Sequence, residues 1–178
     1  MPRLATPAVS PTLPHSETPM SDSLPTIKFK HARFSTRLPA EYLYSPSHYW
    51  MARDPESEAP DLWRVGFTKF ATRMLGELVE CTFDVAEGDE IASGDAIGYV
   101  EGFKAMSDLF NPVDGHFRSG NPALMADACI IRNDPYTVGW LYQVQGTPES
   151  ASTDVHGYIA TLEATIAKMM AAEKGEEG

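Results

Sequence analysis

Lys104 is the only cationic side chain between Glu77 and Asp114. The same stretch holds Glu77, Glu80, Asp84, Glu87, Asp89, Glu90, Asp95, Glu101, Asp108 and Asp114. A lone lysine among carboxylates reads, by itself, as charge neutralisation. A second chemistry is open to a primary amine: it can take an acyl group and hold it as an amide, which a guanidinium does not do. The local setting favours presentation of that amine. Strand-like pieces at Tyr99-Val100-Glu101 and Met106-Ser107-Asp108-Leu109 flank Gly102-Phe103-Lys104-Ala105, so one amine stands at the tip of a hairpin. The chemical reading is a lysine that carries an acylated cofactor arm, with the acidic face around it as a docking address.

The rest of the chain bounds what that lysine can serve. With 178 residues, 43% hydrophobic and 22% charged, it is long enough for one domain with a core plus extensions. A net charge of −11 argues against nucleic-acid binding, because nothing in the composition neutralises a run of phosphates. It suits a protein that meets partners through electrostatic steering. Cys81 and Cys129 are the only cysteines and have no metal or CxxC spacing; both are expected to be buried free thiols in a reducing compartment. No apolar run approaches the roughly 20 residues of a membrane span. The N-terminus lacks an apolar signal core, and its first 25 residues hold only Arg3, so a bacterial cytoplasm is expected rather than a mitochondrial matrix.

Four regions follow from composition and periodicity. Residues 1–26 contain six prolines and eight Ser/Thr and are expected to be a disordered tail, with Met20 as an alternative start. Residues 27–47 are mildly basic and predict an extended arm. Residues 48–146 predict the core domain. Within it, Trp63–Phe67 reads as a strand. Thr68 caps a helix over Lys69–Leu75, and Gly76 stops it. Phe70 and Met74 share a face of that helix at i, i+4. Val79, Cys81, Phe83 and Val85 alternate with polar residues as a half-buried strand. Gly88-Asp89, Gly94-Asp95, Asn111-Pro112 and Asp114-Gly115 predict turns. Asn121 and Pro122 start a short helix, and Gly139–Val144 reads as a closing strand. Residues 147–178 hold one amphipathic helix, with Val155, Ile159, Leu162, Ile166 and Met169 along its apolar face. The fold class is mainly β, a sandwich or barrel of short strands with small helices attached.

Taken in order, these pieces resemble the H protein of the glycine cleavage system, a lipoyl carrier. His48-Tyr49-Trp50 resembles the family's opening His-x-Trp. Arg64-Val65-Gly66-Phe67-Thr68, with Phe70-Ala71 and Leu75-Gly76-Glu77-Leu78, resembles its strand, helix and stop. Glu101-Gly102-Phe103-Lys104-Ala105 is similar to its Glu-Ser-x-Lys-Ala hairpin. Asn121, Ala123-Leu124, Asp134-Pro135-Tyr136 and Gly139-Trp140-Leu141 are similar to its closing portion. The resemblance covers about a hundred residues, with Gly102 where the family often has Ser and Arg132 where Asn is common. It implies a lipoyl-domain-like barrel-sandwich hybrid and lipoate in amide linkage on Lys104. It places Glu101 and Ala105 in the cofactor-bearing motif, with Glu101 and Asp108 as candidates for recognition. The implied partners are glycine decarboxylase (P protein), the folate-dependent aminomethyltransferase (T protein), dihydrolipoyl dehydrogenase (L protein) and a lipoylating enzyme. The family shields its carried group from water in a cleft, which His48 and Trp50 would either line or anchor from the core.

Three other readings compete. A biotinyl carrier would want Met on both sides of the modified lysine, whereas Phe103 and Ala105 flank Lys104. A lipoyl donor to other enzymes would use the same lysine with different partners. An unmodified acidic interaction module would leave Lys104 free. The sequence offers no Ser-His-Asp set, metal cluster or phosphate loop, so catalysis is assigned to partners rather than to this chain.

Overall fold

The computed structural model describes residues 23–176. Residues 1–22 of the tail expected at 1–26, and with them the alternative start at Met20, lie outside the described residues; Thr26, expected in the tail, opens β1 because it pairs with Pro39. Fifteen elements follow in order. The first five strands are β1 (Thr26–His31), β2 (Phe34–Pro39), β3 (Leu43–Tyr44), β4 (Tyr49–Arg53) and β5 (Leu62–Phe67). Helix α1 (Lys69–Leu75) then leads to β6 (Leu78–Phe83), β7 (Glu90–Ile91), β8 (Ala96–Gly102), β9 (Met106–Phe110) and β10 (Val113–Gly120). Two short helices, α2 (Pro122–Ala126) and α3 (Ile130–Asn133), precede β11 (Tyr142–Pro148) and the long α4 (Val155–Glu176).

The strands form three sheets. Six line up as β3-β4-β5-β11-β10-β7, three as β6-β8-β9, and β1 pairs with β2 alone. Every pairing is antiparallel. The protein is therefore mainly β, as the turn spacing predicts, with its sheets left open. One core fills the space between the two larger sheets, built from Val65, Val100, Leu109, Val113, Leu141 and Val144 among others. A second core lies under α4 and the β1–β2 hairpin, where Phe29, Leu38, Tyr44, Trp50, Phe70, Tyr158 and Leu162 meet. Burying this apolar stripe is what holds α4 down, since helix propensity alone does little for an isolated helix.

Several expectations change in detail. The expected extended arm at 27–47 folds as the β1–β2 hairpin, turning at Ala32 (φ 53°), and then supplies β3 to the large sheet. Val79 is exposed rather than inward: the β6–β8 register shifts between Leu78 and Glu80, and the alternation resumes at Cys81. The bulge adds one residue and turns Val79 out. The closing strand begins at Tyr142, three residues later than the apolar run suggests. Gly139 and Trp140 belong instead to the loop clamped by Asn121, whose Nδ2 donates to the carbonyls of Val138 and Trp140. Cys81 is buried, but Cys129 is exposed, standing before α3 where the chain turns at the surface. Its thiol is raised above the ordinary range chiefly by the Asp127 carboxylate.

Candidate functional site

The site is built outward from α1. Thr68 caps the helix, its hydroxyl accepting from the Ala71 amide. Gly76 ends it at φ 80°, a left-handed conformation that glycine adopts without a Cβ penalty. The helix end is then used as a seat. The Leu75 carbonyl accepts from the Lys104 amide at 3.2 Å, and the Glu77 carbonyl accepts from the Phe103 amide at 3.0 Å. The tip closes on itself where Gly102 donates to the Ala105 carbonyl at 2.8 Å. A hairpin tip is ordinarily among the more mobile parts of a chain. Here two backbone bonds hold the tip against Leu75 and Glu77 at the carboxyl end of α1, and a third closes residues 102–105 on themselves.

Glycine at 102 permits that approach. A Cβ there would lie 2.3 Å from the Leu75 carbonyl oxygen, closer than real atoms come. A Cβ on Gly76 would meet the Lys104 side chain at 2.9 Å. Both positions let the two backbones touch.

Lys104 is exposed, and its Nζ donates only to the Arg73 carbonyl, at 3.3 Å. No carboxylate lies within ion-pair distance, because the salt bridges among the described residues both belong to Arg64, with Asp54 and Glu56. The amine is thus not neutralising its neighbours. A single exposed hydrogen bond of this kind costs little to break. The acidic stretch also divides. Asp89, Asp95 and Asp114 accept from the Ala86, Ala92 and Ser93 amides and serve turns. The turn carrying Asp95 sits at the far end of β8 and β9, about 20 Å from the tip. Asp114 and Gly115, expected as a turn, lie in β10 paired with Thr147 and Gly146, and Asp114 braces the Asp95 turn through the Ser93 amide. Glu77, Glu80, Glu101 and Asp108 remain as charge near Lys104. Glu101 faces Glu80 and Met106 across its neighbouring strands.

A cleft of about 520 Å³ opens beside the tip, between α1 and β9. Phe67, Phe70, Ala71, Met74, Leu75 and Val100 make it apolar, while Ser47, His48, Ser107 and Asp108 supply polar atoms. Ala105 lines it next to Lys104. His48 stands at φ 69°, with its Nδ1 within 2.8 Å of the Tyr158 hydroxyl, which in turn meets Thr68 Oγ1 at 2.8 Å. Burial lowers the His48 pKa and raises that of Tyr158. Tyr49 is buried, accepts from the Phe110 amide at 2.9 Å and is pushed up to about 12 by burial, so it remains a neutral phenol holding β9. Trp50 parts company with His48: it is buried in the second core, its Nε1 donating to the Pro135 carbonyl at 2.9 Å. Of the two, only His48 lines the cleft.

The scaffold and the tip define a carrier-type β domain, a frame presenting one amine next to a largely apolar cleft. The family model for glycine cleavage H-protein matches residues 42–170. The glycine cleavage system H protein of Corynebacterium jeikeium is 37% identical over 128 residues, covering 72% of this chain and 99% of that one. That of Enterobacter sp. strain 638 is 34% identical over 132 residues, covering 72% and 98%. The crystal structure of a glycine cleavage system H protein from Mycobacterium marinum matches with a TM-score of 0.61 at 34% identity, covering 69% of this chain and 97% of that one. The chain belongs to the glycine cleavage H-protein family, the lipoyl-carrying shuttle of the glycine cleavage system and a carrier component rather than a catalyst.

Proposed function

We propose that Lys104 is the lipoyl-bearing residue and that this chain carries the aminomethyl group from glycine decarboxylase to the folate-dependent aminomethyltransferase. Dihydrolipoyl dehydrogenase then reoxidises the arm. The observation that carries this reading is the position of Lys104: an exposed amine, free of carboxylate partners, on a tip locked beside an apolar cleft. Lipoate suits that setting. Its aliphatic arm matches the apolar lining from α1, and the polar groups of Ser47, His48 and Asp108 lie at the same cleft for a polar cargo. Lipoate supplies the dithiol and redox chemistry when bound. The protein supplies tethering, which makes each transfer effectively intramolecular once a partner is docked. Its cleft withholds water from whatever rests there.

Ala105 keeps the approach to the amine open, and Glu101 is the carboxylate on which the lipoylating enzyme reads the tip. Residues 48–146 act as the lipoyl-bearing unit, with the hairpin before it and α4 after it as supports. The setting is the bacterial cytoplasm, in keeping with bacterial relatives. Among the described residues no helix is long and apolar enough to cross a membrane.

Intact mass of the protein purified from its own host, with fragmentation across residues 99–118, tests the reading. One added lipoyl group localised to Lys104 is the expected result. An unmodified Lys104 under lipoate-replete growth would overturn it in favour of an unmodified interaction module.

A further inference from the structure

On the side of Lys104 away from the apolar cleft lies a hollow of about 500 Å³, lined by Lys69, Arg73, Lys104 and Arg132, with Glu77 as its single carboxylate. This concentration of cations stands out in a chain of net charge −11. It is also uncompensated. Lys69 Nζ donates to the Arg132 carbonyl at 2.9 Å, and Arg73 Nη1 to the Arg33 carbonyl at 3.2 Å. With the Lys104 bond to the Arg73 carbonyl, the charged groups meet backbone oxygens and no carboxylates. Acylation of Lys104 removes one charge and leaves Lys69, Arg73 and Arg132 against Glu77. The rim is apolar as well: Phe103 is 76% exposed beside Lys104, and Phe34 and Ile131 floor the hollow.

We propose that this hollow is a docking surface for a partner enzyme's acidic segment, one that sets carboxylates around an apolar side chain. The cations come from two helices and the hairpin tip, so they suit an extended segment better than a single small anion. No polar side-chain atom is buried without a partner there, as an enclosed ion site would show. An exposed phenylalanine at the rim supplies the kind of aromatic anchor that interface centres favour. Lys104 then stands on a charge seam, with cations on the α1–α3 side and Glu101 and Asp108 on the hairpin side. A partner must match both signs, which fixes its orientation over the arm. This inference rests on Lys104 being the carrier lysine, but its test does not depend on the cofactor.

The test measures binding of the lipoylated protein and of Lys104→Arg protein to the decarboxylase, the aminomethyltransferase, the dehydrogenase and the lipoylating enzyme across a salt series. Arg73→Glu with Arg132→Glu is expected to raise Kd about tenfold or more for at least one of them in both backgrounds, and to flatten its salt dependence. Lys28→Glu with Lys30→Glu changes net charge equally at two exposed positions of β1 and is expected to stay within about twofold. Should the glutamate pair fail to fold, Arg73→Gln with Arg132→Gln is expected to give about threefold. Equal weakening by both double variants, no weakening of any partner, or loss only of inorganic phosphate binding would overturn the proposal. Absence of lipoate with intact docking would overturn the carrier assignment and leave this surface standing.

Discussion

The two sides of Lys104 are opposite in character, yet one seven-residue helix makes both. Phe70, Ala71 and Met74 turn toward the apolar cleft, whereas Lys69, Thr72, Arg73 and Gly76 turn toward the cationic hollow. Spacings of three and four residues keep each set on its own face. The contrast shows how a carrier can separate two demands. A resting place for an arm wants few charges and little water, while a docking surface wants charge that is legible at a distance. With Lys104 as the proposed carrier lysine, its place on the ridge between them puts both surfaces beside one arm.

The largest effect expected is from Lys104→Arg. The guanidinium keeps the charge on the hollow side but forms no lipoyl amide. Glycine cleavage in a reconstituted system should fall to background, with the fold unchanged by circular dichroism. Retained activity would break the comparison at its centre. Next in size is Gly102→Ala. Its methyl group meets the Leu75 carbonyl at the 2.3 Å approach described above, so the tip must lift from α1. Strain of this kind costs about 1–3 kcal/mol. Urea denaturation should show that loss, and lipoylation should slow because residues 102–105 are no longer fixed. Unchanged stability would mean that the tip is not seated on the helix.

Much of this was legible in the sequence, and the reason is locality. The cap at Thr68, the Phe70–Met74 face and the stop at Gly76 are signals within nine residues, and the helix spans the expected Lys69–Leu75. The hairpin tip at Lys104 is likewise a local pattern. What stayed hidden depends on distant parts meeting. Val79 turns outward because of a bulge in the pairing of β6 with β8, in a region where the Glu77 carbonyl also holds Phe103. Nothing near Val79 in sequence encodes it. Lys69, Arg73, Lys104 and Arg132 read as scattered surface charge until α1, α3 and the tip converge. His48 and Trp50, two residues apart, separate because His48 adopts a left-handed backbone and Trp50 points into the second core.

A smaller effect sharpens the apolar side. Met74 is 48% exposed on the cleft's rim. Met74→Asp places a hydrated carboxylate there, drawing water to the cleft without disturbing the hollow. The loaded protein should then release ammonia several-fold faster when no aminomethyltransferase is present. Docking affinities should be unchanged. Equal rates for variant and wild type would argue that the arm does not rest in this cleft.

The smallest effect concerns His48, which couples the cleft to α4 through Tyr158 and Thr68. Its imidazole packs against Phe70 and the Tyr158 ring, and the Tyr158 phenol, raised by burial, stays neutral across the accessible range. Burial lowers the pKa of His48 in the folded protein, so the unfolded chain, protonating near the ordinary value of about 6.5, binds the proton first as pH falls. The stability that neutral His48 contributes is therefore whole above about pH 6.5 and fades as pH drops toward the lower folded value. His48→Asn removes the titration, and asparagine tolerates the left-handed backbone at this position. Between pH 7 and pH 5 the variant should lose less stability than the wild type, by up to the slope of one proton, with the two curves parallel above pH 7. Parallel curves throughout would place the pH sensitivity elsewhere and leave His48 as packing alone. A flatter curve for the variant would show that the wall shared by the cleft and α4 is more stable while its histidine is neutral, in line with a cleft that disfavours buried charge.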